Sequence, residues 1–165
     1  MSQVIEASSF PVIDMKAVSL MSSLCHDSVD MIESAILKSD INCVDSMNEK
    51  FLNDHSCNGL YARALMIKKG TFLTGRVHKN DYIDICVYGD ITVKSFLFDG
   101  TIEDSERITS FKFLNGKKGR KRVGFAHEDT LWLTVDHLSC SDCSPEDDIS
   151  VPNLKDYNRM IEGIE

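Results

Sequence analysis

Residues 70–93 read GTFLTGRVHKNDYIDICVYGDITV, and the fold turns on this stretch. Two apolar runs flank a polar patch of Arg76, His78, Lys79, Asn80 and Asp81, and Gly89-Asp90 follows. Ile83, Ile85 and Val87 alternate with Tyr82, Asp84, Cys86 and Tyr88. A period of two sends successive side chains to opposite faces of a strand, so one face looks inward and the other carries mixed chemistry.

The same texture continues on both sides. YARALMI (61–67), YIDICVY (82–88), ITVKSFLF (91–98), FKFL (111–114), RVGFA (122–126) and TLWLTVDH (130–137) are short and rich in β-branched or aromatic residues. Gly- and Asp-rich turns separate them. With no helix-length segment between them, they predict antiparallel pairing in one sandwich or barrel over 59–138.

Upstream the period changes. Val18, Met21, Cys25, Val29, Ile32 and Ile36 recur every three or four residues, which predicts an amphipathic helix that Asp14 caps. A shorter helical pattern runs through Val44, Met47, Phe51 and Leu52 and stops at Gly59, so 1–58 reads as an arm and a helical hairpin. The stripe of that hairpin must bury against the outside of the β domain or against another subunit. Residues 139–165 form an acidic, turn-rich tail with a short helix over 153–164.

Composition bounds the function. A chain of 165 residues that is 42% hydrophobic builds one ordinary core. The net charge of −8 opposes general binding to a phosphate backbone. No apolar run approaches the ~20 residues needed to span a bilayer, and no secretion signal is present, so a cytosolic chain is expected. On that basis the cysteines at 25, 43, 57, 86, 140 and 143 are expected as reduced thiols.

The quoted segment resembles the first motif of the cupin superfamily of small jelly-roll barrels. Gly70 stands at the opening position, His78 at the second histidine and Gly89 at the closing glycine, with the second motif across 113–133. Leu73-Thr74-Gly75, His78-Lys79, Gly119, Lys121-Arg122, Glu128-Asp129-Thr130 and Trp132 are similar to phage-encoded cupin-like proteins over residues 60–137. The resemblance implies a mainly β protein, a single antiparallel cupin-like barrel preceded by the helical hairpin.

The departures bear on chemistry. Arg76 occupies the first histidine position, Tyr82 the glutamate position, and Arg122 lies near the second-motif histidine. A guanidinium has no lone pair to give a metal, and a lone imidazole does not hold a divalent ion that needs about three protein ligands. A standard metal centre is therefore not expected. A divalent metal would need a rearranged set of His78 with Asp81, Asp84, His127 or Glu128.

The ligand-binding candidates are Arg76, His78, Lys79, Tyr82, Lys121 and Arg122, a cationic mouth suited to phosphate or carboxylate. Lys121 and Arg122 belong to NGKKGRKR (115–122), a basic island that otherwise reads as a solvent-facing hairpin loop or meets the acidic 146–148. Were the protein an enzyme, the acid–base set would be His78, Tyr82, Glu128 and His127. His127-Glu128-Asp129 also reads as turn chemistry that holds backbone amides. His137, Cys140 and Cys143 have zinc-like spacing but lack a second cysteine pair.

The leading expectation is a non-enzymatic, phage-encoded binder of an anionic, nucleotide-like signal or metabolite. It acts in the host cytoplasm, modulates a host process such as defence, and self-associates. The alternatives are a metal-dependent or acid–base cupin enzyme acting on a sugar or nucleotide, and a virion-associated or host-protein-binding module that uses the hairpin.

Overall fold

The computed structural model describes residues 21, 23–25, 29, 51–140 and 144–163. Among the described residues nine strands follow one another: β1 (Phe51–Cys57), β2 (Leu60–Ile67), β3 (Phe72–Thr74), β4 (Val77–His78), β5 (Tyr82–Leu97), β6 (Glu106–Ile108), β7 (Lys112–Gly116), β8 (Arg120–His137) and β9 (Ser150–Val151). Two helices close the chain, α1 (Pro145–Ile149) and α2 (Leu154–Glu162).

The spine is the antiparallel pair β5–β8, which runs from Ile83↔Val135 to Leu97↔Arg120. Where separate strands are expected at 82–88 and 91–98, and at 122–126 and 130–137, there are two long strands. Their register shifts between Cys86 and Ile91, and bulges there bend the pair rather than end it. Gly89 sits inside this bend with φ 123°, opposite Thr130. A side chain there would collide with Thr130 Oγ1 at 2.3 Å, so only glycine lets the two backbones approach.

The bend gives each long strand two halves and the barrel two layers. In the first layer, β2 and β7 flank the pair formed by 83–86 and 132–135, and β1 adds an outer edge. In the second, β3 and β6 flank the pair formed by 91–97 and 120–126. The protein is thus mainly β, a single antiparallel jelly-roll barrel.

At 51–57 the structure replaces the expected helix with strand β1, paired to β2 from Phe51↔Leu65 to Cys57↔Leu60. The connection is Asn58-Gly59, with φ of 48° and 80°. Two successive left-handed residues make the tight turn whose twist matches a β-hairpin, and Asn-Gly is its strongest sequence signal. That local signal outweighs the apolar spacing of Val44, Met47 and Phe51. The rest of the hairpin lies outside the described residues, apart from part of its first helix. Met21, Leu24 and Val29 are buried against Phe96 and Val123, on the outside of the second layer. Cys25, placed on the apolar stripe by its spacing, is exposed; the chain leaves helical geometry at 24–25 and Leu24 takes the buried position.

The acidic tail folds back. β9 pairs with β4 through Val77↔Val151 and His78↔Ser150. Helix α2 begins where the Asn153 side chain accepts from Asp156 N at 2.9 Å and ends at Gly163, in agreement with the expected helix. Its Tyr157 is buried beside Phe98, with ring centroids 5.3 Å apart, and Leu154 packs on the second-layer cluster. Cys57 and Cys86 are free thiols, but Cys140 is disulfide-bonded, which corrects the expectation of six reduced cysteines.

Candidate functional site: a cavity between the two layers

The strand alternation decides what the barrel encloses. On β5 the face that looks inward is the mixed one: Tyr82, Asp84 and Cys86 are buried while Ile83 is 45% exposed. On β8 the matching inward residues are Trp132 and Thr134, and on β2 they are Arg63, Leu65 and Ile67. Between the layers lies a cavity of about 120 Å³. Leu65, Ile67, Leu73, Ile91, Val93 and Trp132 form its apolar wall, and Arg63, Arg76, His78, Tyr82, Asp84 and Arg122 its polar one.

Each polar group is held. The Asp84 carboxylate accepts from Trp132 Nε1 at 3.0 Å and from Thr134 Oγ1 at 2.6 Å, and its other oxygen faces the Arg122 guanidinium. Arg122 also lies over the Tyr82 ring, 5.6 Å from its centroid. Tyr82 in turn stacks on His78 at 3.7 Å between ring centres. His78 Nδ1 stands 2.7 Å from Asp136 Oδ1, a carboxylate brought to it from the end of β8. Arg76 donates from Nε to Ser150 Oγ at 2.9 Å, so the folded-back tail fixes one side of the cavity.

Burial dominates the titration of His78 and Tyr82. It lowers the pKa of His78 below the ordinary 6.5, against the raising effects of Asp136, so the imidazole is neutral near pH 7. With Nδ1 engaged by a carboxylate, the neutral ring carries its proton there and its lone pair on Nε2. Burial raises the pKa of Tyr82, keeping the phenol protonated. Lining the cavity are therefore three guanidinium groups and one carboxylate.

Of the residues singled out from sequence, Arg76, His78, Tyr82 and Arg122 meet in this cavity. Lys79 and Lys121 do not: the first bonds to Asp147 O and the second, 1% exposed, to Pro152 O at 3.1 Å. The basic island is split accordingly, with Lys117 and Lys118 exposed at the turn and Arg120 and Lys121 buried, so it is not wholly a solvent-facing loop.

His127 and Glu128 lie elsewhere. His127 Nε2 pairs with Thr92 Oγ1 at 2.8 Å, and Glu128 pairs with Lys69 at 2.7 Å on the surface. Asp129 accepts from the backbone N–H of Lys69 at 2.9 Å, which is turn chemistry. His137 is exposed at the end of β8, the disulfide takes the Cys140 sulfur out of any zinc site, and Cys143 lies outside the described residues.

Two cavity residues, Arg63 and Thr134, escaped the sequence reading, as did Asp136 on His78. Their signal was parity alone. Positions 132, 134 and 136 share one face of β8, and 63, 65 and 67 one face of β2.

No protein-family model matches the chain, and no curated protein matches it. Solved structures do. One is a cupin-2 domain protein from Shewanella frigidimarina, 10% identical over 56% of this chain and 86% of that one, with a TM-score of 0.41. A second match is a putative ethanolamine utilization protein Q from Salmonella typhimurium, 15% identical over 52% of this chain and 66% of that one, TM-score 0.41. A third is hydroxypropylphosphonic acid epoxidase from S. wedmorenis, 8% identical over 47% of this chain and 43% of that one, TM-score 0.40.

Iron(II) occupies that epoxidase in another of its structures. The cavity described above does not fit a resident divalent ion. Its one imidazole offers a single donor, Nε2, and its one carboxylate faces Arg122, so fewer than the three protein ligands a divalent ion needs line it. Among the described residues no three His, Cys, Asp or Glu side chains converge as a metal would need. Nor, among them, is any helix long and apolar enough to cross a membrane.

Proposed function

We propose that this cupin-like protein binds a small organic anion with an apolar body in the inter-layer cavity. One observation carries the reading: three guanidinium groups, Arg122 facing Asp84 and Arg76 standing 3.5 Å from Asp147, line a space that also has a continuous apolar wall. A guanidinium carries five N–H donors, so one already facing a carboxylate can still receive a carboxylate or phosphate head, and its fork matches such heads in geometry. The apolar wall takes the rest of the ligand. On this reading the protein is a binder of a nucleotide-like signal or metabolite. The resemblance of residues 60–137 to phage-encoded proteins supports a role in the host cytoplasm, against a host process such as defence.

A second reading, acid–base catalysis without a metal, is favoured by the His78–Asp136 pair. A carboxylate that fixes the tautomer of a neutral imidazole at a cavity wall is the arrangement of a general base, and the protonated Tyr82 beside it is a proton donor.

Calorimetric titration tests the proposal with two probes, benzoate and adenosine 5′-monophosphate, and the neutral analogue benzamide. The expected result is saturable binding of at least one anion, weakened tenfold or more by Arg122→Gln and by Arg76→Gln, with benzamide much weaker. Equal heats for the anions and the neutral analogue, or unchanged affinity in both variants, would contradict it.

A further inference from the structure

The parity that turns polar side chains inward turns apolar ones outward. Outside the first layer stand Ile83 and Ile85 of β5, Leu133 and Val135 of β8, and Phe113 of β7 with Phe111 just before it. Phe111 and Phe113 are 59% and 62% exposed and lie edge to face at 5.1 Å. By register no Asp, Glu, Lys or Arg of β2, β5, β7 or β8 belongs to this face from Ile83 to Tyr88 and its partners, Leu131 and Met66 included. The outside of the second layer is also apolar, but Met21, Leu24, Val29 and Leu154 of the same chain cover it. Among the described residues, one outer face is thus sealed and the other presented.

The relief of the presented face is graded. One ladder row reads Phe113, Ile85, Leu133, Ala64 from β7 through β5 and β8 to β2, and the next reads Asn115, Ile83, Val135, Ala62. Large side chains form a ridge over β7, and alanines form a trough over β2. A two-fold axis in the plane of contact, parallel to the strands and between β5 and β8, reverses this order. It lays the Phe113 ridge of one copy over the Ala62–Ala64 trough of the other, twice.

We infer that the outer face of β2, β8, β5 and β7 is an isologous interface with a second copy of this chain, the phenylalanine ridge of each seated in the alanine trough of its partner. Three features favour a second copy over another occupant. The face is self-complementary under a closed two-fold, the commonest symmetry of oligomers. It lets a chain of net charge −8 associate without burying an unpaired charge. Its size is sufficient: four strands at about 4.8 Å and six residues at about 3.3 Å give roughly 400 Å² in plan per copy. With side-chain relief, the pair buries on the order of 1,200 Å², the lower bound of a specific interface. The inference stands apart from the cavity and holds whatever the cavity binds.

The test combines light scattering with thiol crosslinking on the full chain. A dimer is expected at tens of micromolar, converted to monomer by Phe113→Asp with the circular dichroism and melting of the folded protein retained. With a short bismaleimide, whose span suits sheets packed about 10 Å apart, the double variant Ala64→Cys, Phe113→Cys is expected to give a covalent dimer with a 64–113 link identified by mass spectrometry, which neither single variant forms. A monomeric wild type, including one whose 30–50 segment protects this face from hydrogen exchange, would overturn the inference. So would a dimer that Phe113→Asp leaves intact and that yields no 64–113 link.

Discussion

Arg122 connects the charge, the aromatic stack and the cavity. Its guanidinium faces Asp84, lies over Tyr82 and is largely buried, so removing it strands a carboxylate that keeps only its Trp132 and Thr134 donors. Breaking one side of a buried pair costs about 3–5 kcal/mol, whereas replacing both sides at once costs much less. Arg122→Leu is therefore expected to lose about 3 kcal/mol in urea denaturation, and Arg122→Leu with Asp84→Asn to regain a large part of it. Equal losses in the single and double variants would contradict the pairing. His78 makes a pH prediction. Its folded pKa lies below the ordinary 6.5, so between those values the unfolded chain binds the extra proton. The resulting stability is complete above about pH 6.5 and is lost as pH falls through the folded value. Denaturation midpoints from pH 7.5 to 5 are expected to fall more steeply in the wild type than in His78→Gln. Parallel curves would show that burial of His78 does not set the slope.

At the scale of elements, the bend in β5–β8 makes a two-layered barrel from one long ladder. Gly89→Ala would drive a methyl group into Thr130, which is fully buried and bonded to Asp90 N at 3.2 Å and Glu128 O at 2.8 Å. A loss of about 2–4 kcal/mol is expected by thermal unfolding, and a wild-type melting temperature would contradict the role given to the bend. The apolar and aromatic runs made the strands of this barrel legible, because strand propensity and turn glycines act locally. Two features were not legible. That Gly89 bends one strand instead of separating two depends on the register with β8, which links positions about forty residues apart. Helix was read at Phe51 and Leu52 because four apolar residues match a helical period by chance. Asn58-Gly59, the local signal for a hairpin, was read only as a helix stop. In the site, motif positions pointed to Arg76, His78, Tyr82 and Arg122. Asp136 and Arg63 reach it by strand pairing, which no local pattern encodes.

Over the whole molecule, the tail is part of the barrel. Ser150 holds Arg76, the carbonyl of Pro152 accepts from the buried Lys121, and Tyr157 closes the end near Phe98. Tyr157→Ala is expected to cost about 3 kcal/mol and to weaken anion binding, because a loosened tail releases Arg76. Full affinity in a destabilised Tyr157→Ala protein would separate the tail from the cavity. The central claim is that an antiparallel jelly-roll barrel encloses guanidinium groups where a cation site would need donors. Elemental analysis of the purified full-length protein, wild type beside His78→Ala, tests it most directly. The account predicts divalent metal far below one equivalent per chain and no difference between the two proteins. About one equivalent of iron, manganese, nickel or zinc in the wild type, lost in His78→Ala, would contradict it.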